Sequence, residues 1–278
     1  MNCLIVNADD FGLSPAVNAG IVEAHLNGIV TSTSIMANGA AFDDAVRLLR
    51  GLPALDAGIH LTLVGEMALL APEQVPTLVD QHGRLPRDVF TFTRGYFAGR
   101  IRLSDIRAEL NAQFERLRSA GVQLSHADSH QHVHMLGEIR EVVADLCRAH
   151  GVPVLRRPAE PFGRQLMHGA PAPRRFAELA ALRLACAGSW PRHMQRTDSF
   201  YGFYFGGRLT RDALLAIIRC LPHGQAVELM CHPGHYDPRY AGWGYCWEQE
   251  LSALTSAEAR SALAARNVAL SGFRSLYG

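Results

Sequence analysis

The sequence predicts an α/β fold, a single-domain (β/α) barrel that is TIM-like or an irregular version of it. Short apolar runs rich in β-branched residues alternate with helical patterns at least seven times along the 278 residues, which is typical of parallel βα units. A chain of this length can bury one large core. A doubly wound open sheet is the alternative, but no G-x-G-x-x-G motif follows the first predicted strand.

The first half of the chain begins with a buried strand and continues in βα order. Residues 3–6 are a compact apolar run, as a strand covered on both faces requires, and we expect Asp9 and Asp10 to follow its end. Ser14 and Pro15 form an N-cap followed by a proline in the first turn, which predicts a helix up to Gly28. The next predicted elements are strands at 30–36 and 57–63 and a helix at 41–52.

The second half departs from this alternation in two places. Residues 64–102 are rich in proline, glycine and aromatic residues, which predicts an excursion over the active-site face. Residues 160–196 are interpreted as an ordinary barrel helix or as a basic apolar face that meets a lipid surface or a partner chain. The remaining predicted elements are helices at 103–121, 135–150, 209–221 and 256–266 and strands at 122–129, 152–155, 226–231 and 268–271.

Composition and charge exclude several classes of function. The net charge is +1 and the arginines are scattered, so no nucleic-acid partner is expected. The six cysteines show no C-x-x-C spacing, which favours a reducing compartment. The sequence has no signal-peptide pattern and no apolar run of about 18 residues or more. We therefore expect a cytoplasmic protein whose membrane contact, if any, is peripheral; a homodimer is left open.

Polar residues recur at the carboxyl ends of the predicted strands. In a barrel these ends share the rim at which barrel enzymes build their sites. A lone histidine in an apolar strand, such as His60, more often packs in the core, but Asp or His at three strand ends is harder to explain in that way. Four histidines between 126 and 134 would lie on one face of an extended backbone. The residues at this rim are Asp9, Asp10, His60, Asp128, His130, Arg157 and His232.

The adjacent pair Asp9 and Asp10 first indicates a metal. Neighbouring carboxylates repel and lose solvation, a cost that a cation, a proton or hydrogen-bond donors must offset. The alternative is that one caps the following helix while the other is solvated. One Asp with two His is a nitrogen and oxygen ligand set suited to Zn²⁺, and also to Mn²⁺, Co²⁺ or Ni²⁺. The second Asp would then be available as the general base for a metal-activated water.

Several blocks of sequence resemble the YdjC family of carbohydrate deacetylases, which includes the chitooligosaccharide deacetylase. Four blocks agree in order and spacing, and the resemblance covers nearly the whole chain. They are VNADDFGLS at 6–14, GIVTSTS at 28–34, GIHL at 58–61 and DSHQHVH at 128–134. Within the family, the sequence is similar to the hopanoid-biosynthesis-associated branch at TS 33–34, FDDA 42–45, GRLT 207–210 and ELMCHPG 228–234.

This resemblance implies a single YdjC-like deacetylase domain over residues 1–278. It implies one divalent metal held by Asp10, His60 and His130, with zinc as the first choice and Mg, Mn, Co or Ni as alternatives. Asp9 is the implied general base. The implied reaction removes the N-acetyl group from an N-acetylglucosamine unit of an oligosaccharide or of a glycolipid such as an acetylglucosaminyl hopanoid.

For most of the other rim residues, two roles are open. His232 is either the general acid that protonates the departing amine or a supporting, helix-capping residue. His132 and His134 either support the site or belong to the following helix. Asp128 is expected to orient His130, and Arg157 to bind a substrate hydroxyl or the oxyanion. Three aromatic residues in the last part of the sequence either stack on a sugar ring or pack in the core: Trp243, Tyr245 and Trp247.

Two other functions stay open at this point. A metal-dependent phosphoesterase is disfavoured because the rim has few Lys or Arg residues and no Gly-rich anion loop is evident. A non-catalytic sugar- or metal-binding protein would need no second carboxylate beside the ligand Asp10.

Overall fold

The structure, a computed structural model, describes residues 2–168 and 173–278. Strands and helices alternate along this part of the chain, as the sequence predicts. The strands are β1 (Cys3–Phe11), β2 (Ser32–Ile35), β3 (Asp56–Leu61), β4 (His126–Ser129), β5 (Val154–Leu155), β6 (Ser199–Tyr201), β7 (Ala226–Cys231) and β8 (Ala269–Leu270). The α-helices are α1 (Pro15–Asn27), α2 (Phe42–Leu49), α3 (Val89–Phe97), α4 (Leu103–Ser119), α5 (Ile139–Ala149), α6 (Pro173–Ala185), α7 (Arg211–Cys220), α8 (Trp247–Thr255), α9 (Ala257–Ala265) and α10 (Phe273–Tyr277).

The strands form one parallel sheet that curls into a partial barrel. Its order is β5-β4-β3-β2-β1-β7-β6, and β8 pairs with the start of β1. Neighbours in the sheet are mostly neighbours in sequence, and the order does not reverse as it would in a doubly wound sheet. The prediction of a barrel-like α/β fold is therefore confirmed.

The two outer strands, β5 and β6, approach each other through one short connection. Val154 forms a parallel bridge with Gln195, a few residues before β6. The amide of Leu155 donates to the carbonyl of Gln195 at 3.0 Å, and the amide of Gln195 donates to the carbonyl of Pro153 at 3.0 Å. Because β5 and β6 are only two and three residues long, the barrel is irregular on this side.

Local sequence signals explain where the first units begin and end. Every residue of β1 is buried, as expected for a central strand of a parallel sheet covered on both faces. The Ser14 hydroxyl accepts a hydrogen bond from the amide of Val17 at 3.2 Å, and Pro15 follows it in the first turn. This capping confirms the predicted start of the first helix.

Two local predictions near the rim were wrong. We expected the first strand to end before the Asp pair, but β1 continues through both carboxylates to Phe11. We expected extended backbone around His130, but residues His130–Met135 form a 3₁₀ turn in which Gln131 and His132 have positive φ. Both differences arise from backbone irregularities that a period-two or apolar pattern does not reveal.

The excursion at 64–102 contains helix α3, which the sequence analysis did not predict. The buried carboxylate of Glu109 in α4 accepts hydrogen bonds from the amides of Leu69 and Leu70. The amide of Val89 donates to the side chain of Gln131 at 2.8 Å, so this segment contacts the turn that follows β4.

The segment at 160–196 contains a short 3₁₀ turn, Arg164–Met167, and helix α6. Residues 169–172 of this segment lie outside the described residues. Within the described ranges, 2–168 and 173–278, no helix combines the length and apolar character needed to cross a membrane.

Candidate active site

Asp10, His60 and His130 converge at one point although 120 residues separate the first from the last. Oδ1 of Asp10 lies 3.2 Å from Nε2 of His60 and 3.1 Å from Nδ1 of His130. All three side chains are buried. The structure thus brings together the three residues that the sequence analysis assigned to a metal, while their role as ligands stays a prediction.

A bulge in β1 allows both adjacent carboxylates to face this cluster. Consecutive side chains of a regular strand point to opposite faces. The register between β1 and β2 shifts between Ala8 and Phe11, and Asp10 has a φ of 69°. Asp can adopt such left-handed backbone more readily than most residues. As a result Oδ2 of Asp9 lies 4.0 Å from His60, on the same side as Asp10.

Asp128 fixes the orientation of His60. The two residues are cross-strand partners in β3 and β4, and Nδ1 of His60 donates to Oδ1 of Asp128 at 2.6 Å. With Nδ1 held by Asp128, Nε2 is the nitrogen that faces Asp10 and would offer its lone pair to a bound cation. Such a carboxylate partner is typical of metal-binding histidines. The expectation that Asp128 orients His130 is therefore wrong, because its partner is His60.

The cluster fits a divalent cation. Oδ2 of Asp10 and Nε2 of His130 are buried and have no hydrogen-bond partner among the described residues, an arrangement that is costly unless another group satisfies them. Burial opposes a charged imidazole, yet the carboxylates of Asp128, Asp10 and Asp9 raise the pKa of His60 to about 10. The surroundings of Asp10 therefore favour positive charge, and the oxygen and nitrogen donors suit zinc or a similar ion.

Arg156 is a buried cation that the sequence analysis missed. Its guanidinium binds Asp9 in a bidentate pair at 2.7 Å for each contact, and it also lies 2.7 Å from Oδ2 of Asp128. Nε of Arg156 donates to Oε1 of Glu228 at 2.6 Å. Three buried carboxylates thus share one guanidinium, and this is the charge balance that permits them in the core.

Arg157, which the sequence analysis chose instead, does not reach the cluster. Its guanidinium donates to the carbonyl of Cys186 at 2.8 and 3.2 Å. The adjacent residues Arg156 and Arg157 follow a two-residue strand, and only one of them can point inward. The two adjacent arginines after the predicted strand indicated that one of them could reach the site. The sequence did not reveal which of the two side chains points inward.

The same network sets the protonation of Asp9. Burial disfavours its charged form, but the Arg156 guanidinium outweighs this effect and holds the pKa of Asp9 well below its usual range. Burial raises the pKa of Glu228 to about 7, even though Arg156 opposes the rise. The Asp9 side chain is therefore ionised at neutral pH.

His232 lies at the end of β7 on the other side of Asp9. Its amide donates to Oε2 of Glu250 at 2.6 Å, and its Nδ1, 3.9 Å from the same oxygen, has no hydrogen-bond partner among the described residues. The ring packs edge-on against Tyr245, with 4.9 Å between centroids. A ring whose Nδ1 faces a buried carboxylate is consistent with either interpretation of His232.

The two histidines after His130 have different surroundings. Both ring nitrogens of His134 are engaged, by the Ser129 hydroxyl at 2.5 Å and by the carbonyl of Arg156 at 2.9 Å. His134 therefore links the ends of β4 and β5. His132 is buried against Phe200 and Phe203, and its Nδ1 has no partner in the described part of the chain. Burial holds the pKa of His132 well below its usual value.

The late aromatic residues divide between the site and the core. The Trp243 ring lies 4.9 Å from the His130 ring and 5.5 Å from Tyr245. Trp243 is half-buried, whereas Trp247 is buried in the core. Trp243 and Tyr245 thus line the mouth of the cluster, and Trp247 supports them from below.

The fold and the cluster define the class of protein. It is a barrel-like α/β protein whose candidate site lies at the carboxyl ends of parallel strands. Within that class the chain belongs to the YdjC-like family, whose model matches residues 3–265.

Two curated relatives match over nearly their full length. A carbohydrate deacetylase from Geobacillus stearothermophilus is 36% identical over 276 residues, which cover 98% of this chain and 97% of the relative. A chitooligosaccharide deacetylase from Serratia marcescens is 34% identical, with 98% of each chain covered. A crystal structure from Enterococcus faecalis, described as a candidate cellobiose-phosphate cleavage protein, is 28% identical with a TM-score of 0.77 and covers 100% of both chains.

Proposed function

We propose that this protein is a metal-dependent hydrolase that removes the N-acetyl group from an N-acetylglucosamine-type amino sugar. The observation that carries the proposal is the convergence of Asp10, His60 and His130 beside Asp9, which is ionised at neutral pH. Relatives at 36% and 34% identity that are named carbohydrate and chitooligosaccharide deacetylases support the same reaction.

Asp10, His60 and His130 would hold the cation, with zinc as the first choice. When bound, a divalent cation supplies Lewis-acid activation of water and of the amide carbonyl. Asp128 keeps His60 in the tautomer that offers Nε2 to that position. Arg156 remains paired with Asp9, Asp128 and Glu228 and is not a ligand of the cation.

Asp9 is assigned the general base. A carboxylate has about four acceptor positions. Its Oδ1 accepts from Arg156, Asn7 and Ser34, whereas Oδ2 accepts from Arg156 alone among the described residues. One lone pair of Oδ2 therefore remains to accept a proton from the attacking water.

His232 is assigned the general acid. Cleavage of an amide requires a proton on the departing nitrogen, and an imidazole can donate one near neutral pH. Nδ1 of His232 is buried and lies 3.9 Å from Oε2 of Glu250, so the other ring nitrogen, Nε2, is assigned this donation. Trp243 and Tyr245 offer aromatic faces to the sugar ring at the mouth of the site.

A glycolipid, such as an acetylglucosaminyl hopanoid, is the finer substrate that we propose. Its support is the sequence similarity to the hopanoid-associated branch at 207–210 and 228–234. A phosphoesterase is less well supported, because the Arg156 guanidinium is already paired with three carboxylates and is not available to a phosphate.

The test is release of acetate by zinc-loaded protein from two substrates, chitobiose and an acetylglucosaminyl hopanoid. We expect acetate from at least one of them, and greater release from the glycolipid if the finer proposal holds. Protein treated with a chelator should be inactive and should recover on addition of zinc. Absence of acetate from both substrates, with metal bound, would contradict the proposed reaction.

Substitutions at the cluster should distinguish a residue that binds the metal from one that orients a metal-binding residue. Asp128→Asn removes the charged partner of His60, so we expect zinc affinity to fall about 10–100-fold, as for other outer-sphere carboxylates. Asp10→Asn should weaken zinc binding further. Asp105→Asn, a buried carboxylate bonded to Thr77 in another part of the fold, is the control. Titration against a chromophoric chelator measures all three, and equal affinities would refute the assignment.

A further inference from the structure

Helix α6 presents an apolar stripe to solvent. Only Leu179 of its 13 residues is buried. Phe176, Ala180 and Leu184 recur at intervals of four residues and are exposed, Phe176 by 50% and Leu184 by 77%. Such a stripe normally faces a protein core, so its exposure calls for a partner.

The turn before α6 extends this stripe. Phe162 and Met167 are exposed by 48% and 81%, and the Phe162 ring lies 5.0 Å from the Phe176 ring. We refer to Phe162, Met167, Phe176 and Leu184 together as the α6 surface. Exposed apolar residues grouped in this way mark an interaction site more often than scattered single residues do.

The segment that carries the α6 surface is strongly basic. Residues 160–196 contain six arginines and two glutamates, a formal charge of +4, although the whole chain carries only +1. Arg174 and Arg175 share a single carboxylate, Glu178, at 2.9 and 3.0 Å. Positive charge is therefore concentrated here and only partly neutralised.

Arginines on α6 and on the elements beside it lie close to one another. The guanidinium of Arg183 stands 5.0 Å above the Phe162 ring. Burial and the repulsion of Arg196, Arg140 and Arg183 lower the pKa of Arg157, as expected where cations lie close together. Arginine suits phosphate groups through its planar set of donors.

We propose that the α6 surface docks on a lipid bilayer that contains anionic phospholipids. Exposed Phe, Leu and Met side chains would enter the interface, and the surrounding arginines would contact the phosphates, as interfacial amphipathic helices do. The charge of the segment selects an anionic bilayer over a neutral one.

The docked surface would lie beside the candidate site. The Arg175 guanidinium donates to the carbonyls of Phe203 and Tyr204, and the Phe203 ring lies 5.5 Å from His132. The docking proposal goes beyond the proposed function and holds whichever acetylated sugar is the substrate.

Vesicle flotation with the full chain tests the proposal. We expect binding to vesicles of phosphatidylcholine with about one third phosphatidylglycerol, little binding to phosphatidylcholine alone, and weaker binding as salt rises. The double variant Phe176→Ser/Leu184→Ser should bind at least about 10-fold more weakly, because two apolar side chains no longer leave water. Arg164→Gln, an exposed position, is a second variant that should weaken only the binding to anionic vesicles.

A matched control uses the other helix with exposed aromatic residues. Phe90 and Phe97 of α3 are exposed by 62% and 68%, and Phe90→Ser/Phe97→Ser should bind vesicles like the wild type. Absence of binding, equal binding to neutral and anionic vesicles, or an equal loss in the α3 variant would overturn the proposal. So would a dimer in sedimentation velocity that Phe176→Ser/Leu184→Ser abolishes, because the α6 surface would then join two copies of the chain.

Discussion

Replacing Asp9 by Asn should lower kcat by about 10²–10⁴-fold, the usual contribution of a general base. Asn keeps the size of the side chain and still accepts a hydrogen bond from Arg156, but it cannot take up a proton. Zinc content should hardly change, because Asp9 lies beside the ligand set without belonging to it. Acetate release at saturating substrate and metal analysis of the same sample measure the two effects.

A control must account for the ion pair between Asp9 and Arg156. Glu228→Gln removes another buried carboxylate from the same guanidinium and leaves the free lone pair of Asp9 in place. We expect it to lower kcat by less than about 10-fold, well below the effect of losing a general base. If Asp9→Asn kept near-normal deacetylation, or lost zinc as Asp10→Asn does, His232 or Asp128 would become the better candidate for the base.

The order of the predicted strands placed Asp10, His60 and His130 at one rim, and the resemblance to the YdjC family singled them out as a ligand set. In a parallel sheet the carboxyl ends of the strands share an edge, so residues at strand ends can be placed together without knowing any distance. This argument is insensitive to errors of two or three residues in the strand limits. It held although β1 is five residues longer than predicted.

The contacts around these residues were not predictable in the same way. The partner of Asp128 depends on the register between β3 and β4, and the choice between Arg156 and Arg157 depends on which face of a two-residue strand each occupies. A shift of one residue reverses the face. The bulge at Asp10 also turns this side chain to the same face as Asp9, and no pattern of apolar residues predicts a bulge.

Arg156→Met should destabilise the metal-free protein by about 3–5 kcal/mol, the usual cost of removing one partner from a buried ionic network. Met fills much of the same volume, but Asp9, Asp128 and Glu228 would lose their common cation while they remain buried. The free energy of unfolding from urea titration measures the change. Arg157→Met is the matched control, because this neighbouring guanidinium is only half-buried and donates to a single carbonyl.

The pH dependence distinguishes loss of charge balance from loss of packing. Without Arg156 the folded-state pKa of these carboxyl groups should rise above the unfolded value, so the folded variant binds protons more readily than the unfolded chain does. Its stability should then increase as pH falls toward the raised pKa, and the deficit relative to wild type should be smaller at about pH 5 than at about pH 8. Adding Glu228→Gln to Arg156→Met should recover part of the loss, because one buried charge fewer is left unpaired. A deficit that does not change with pH, or one no larger than that of Arg157→Met, would show that Arg156 contributes packing and not the charge balance on which Asp9 depends.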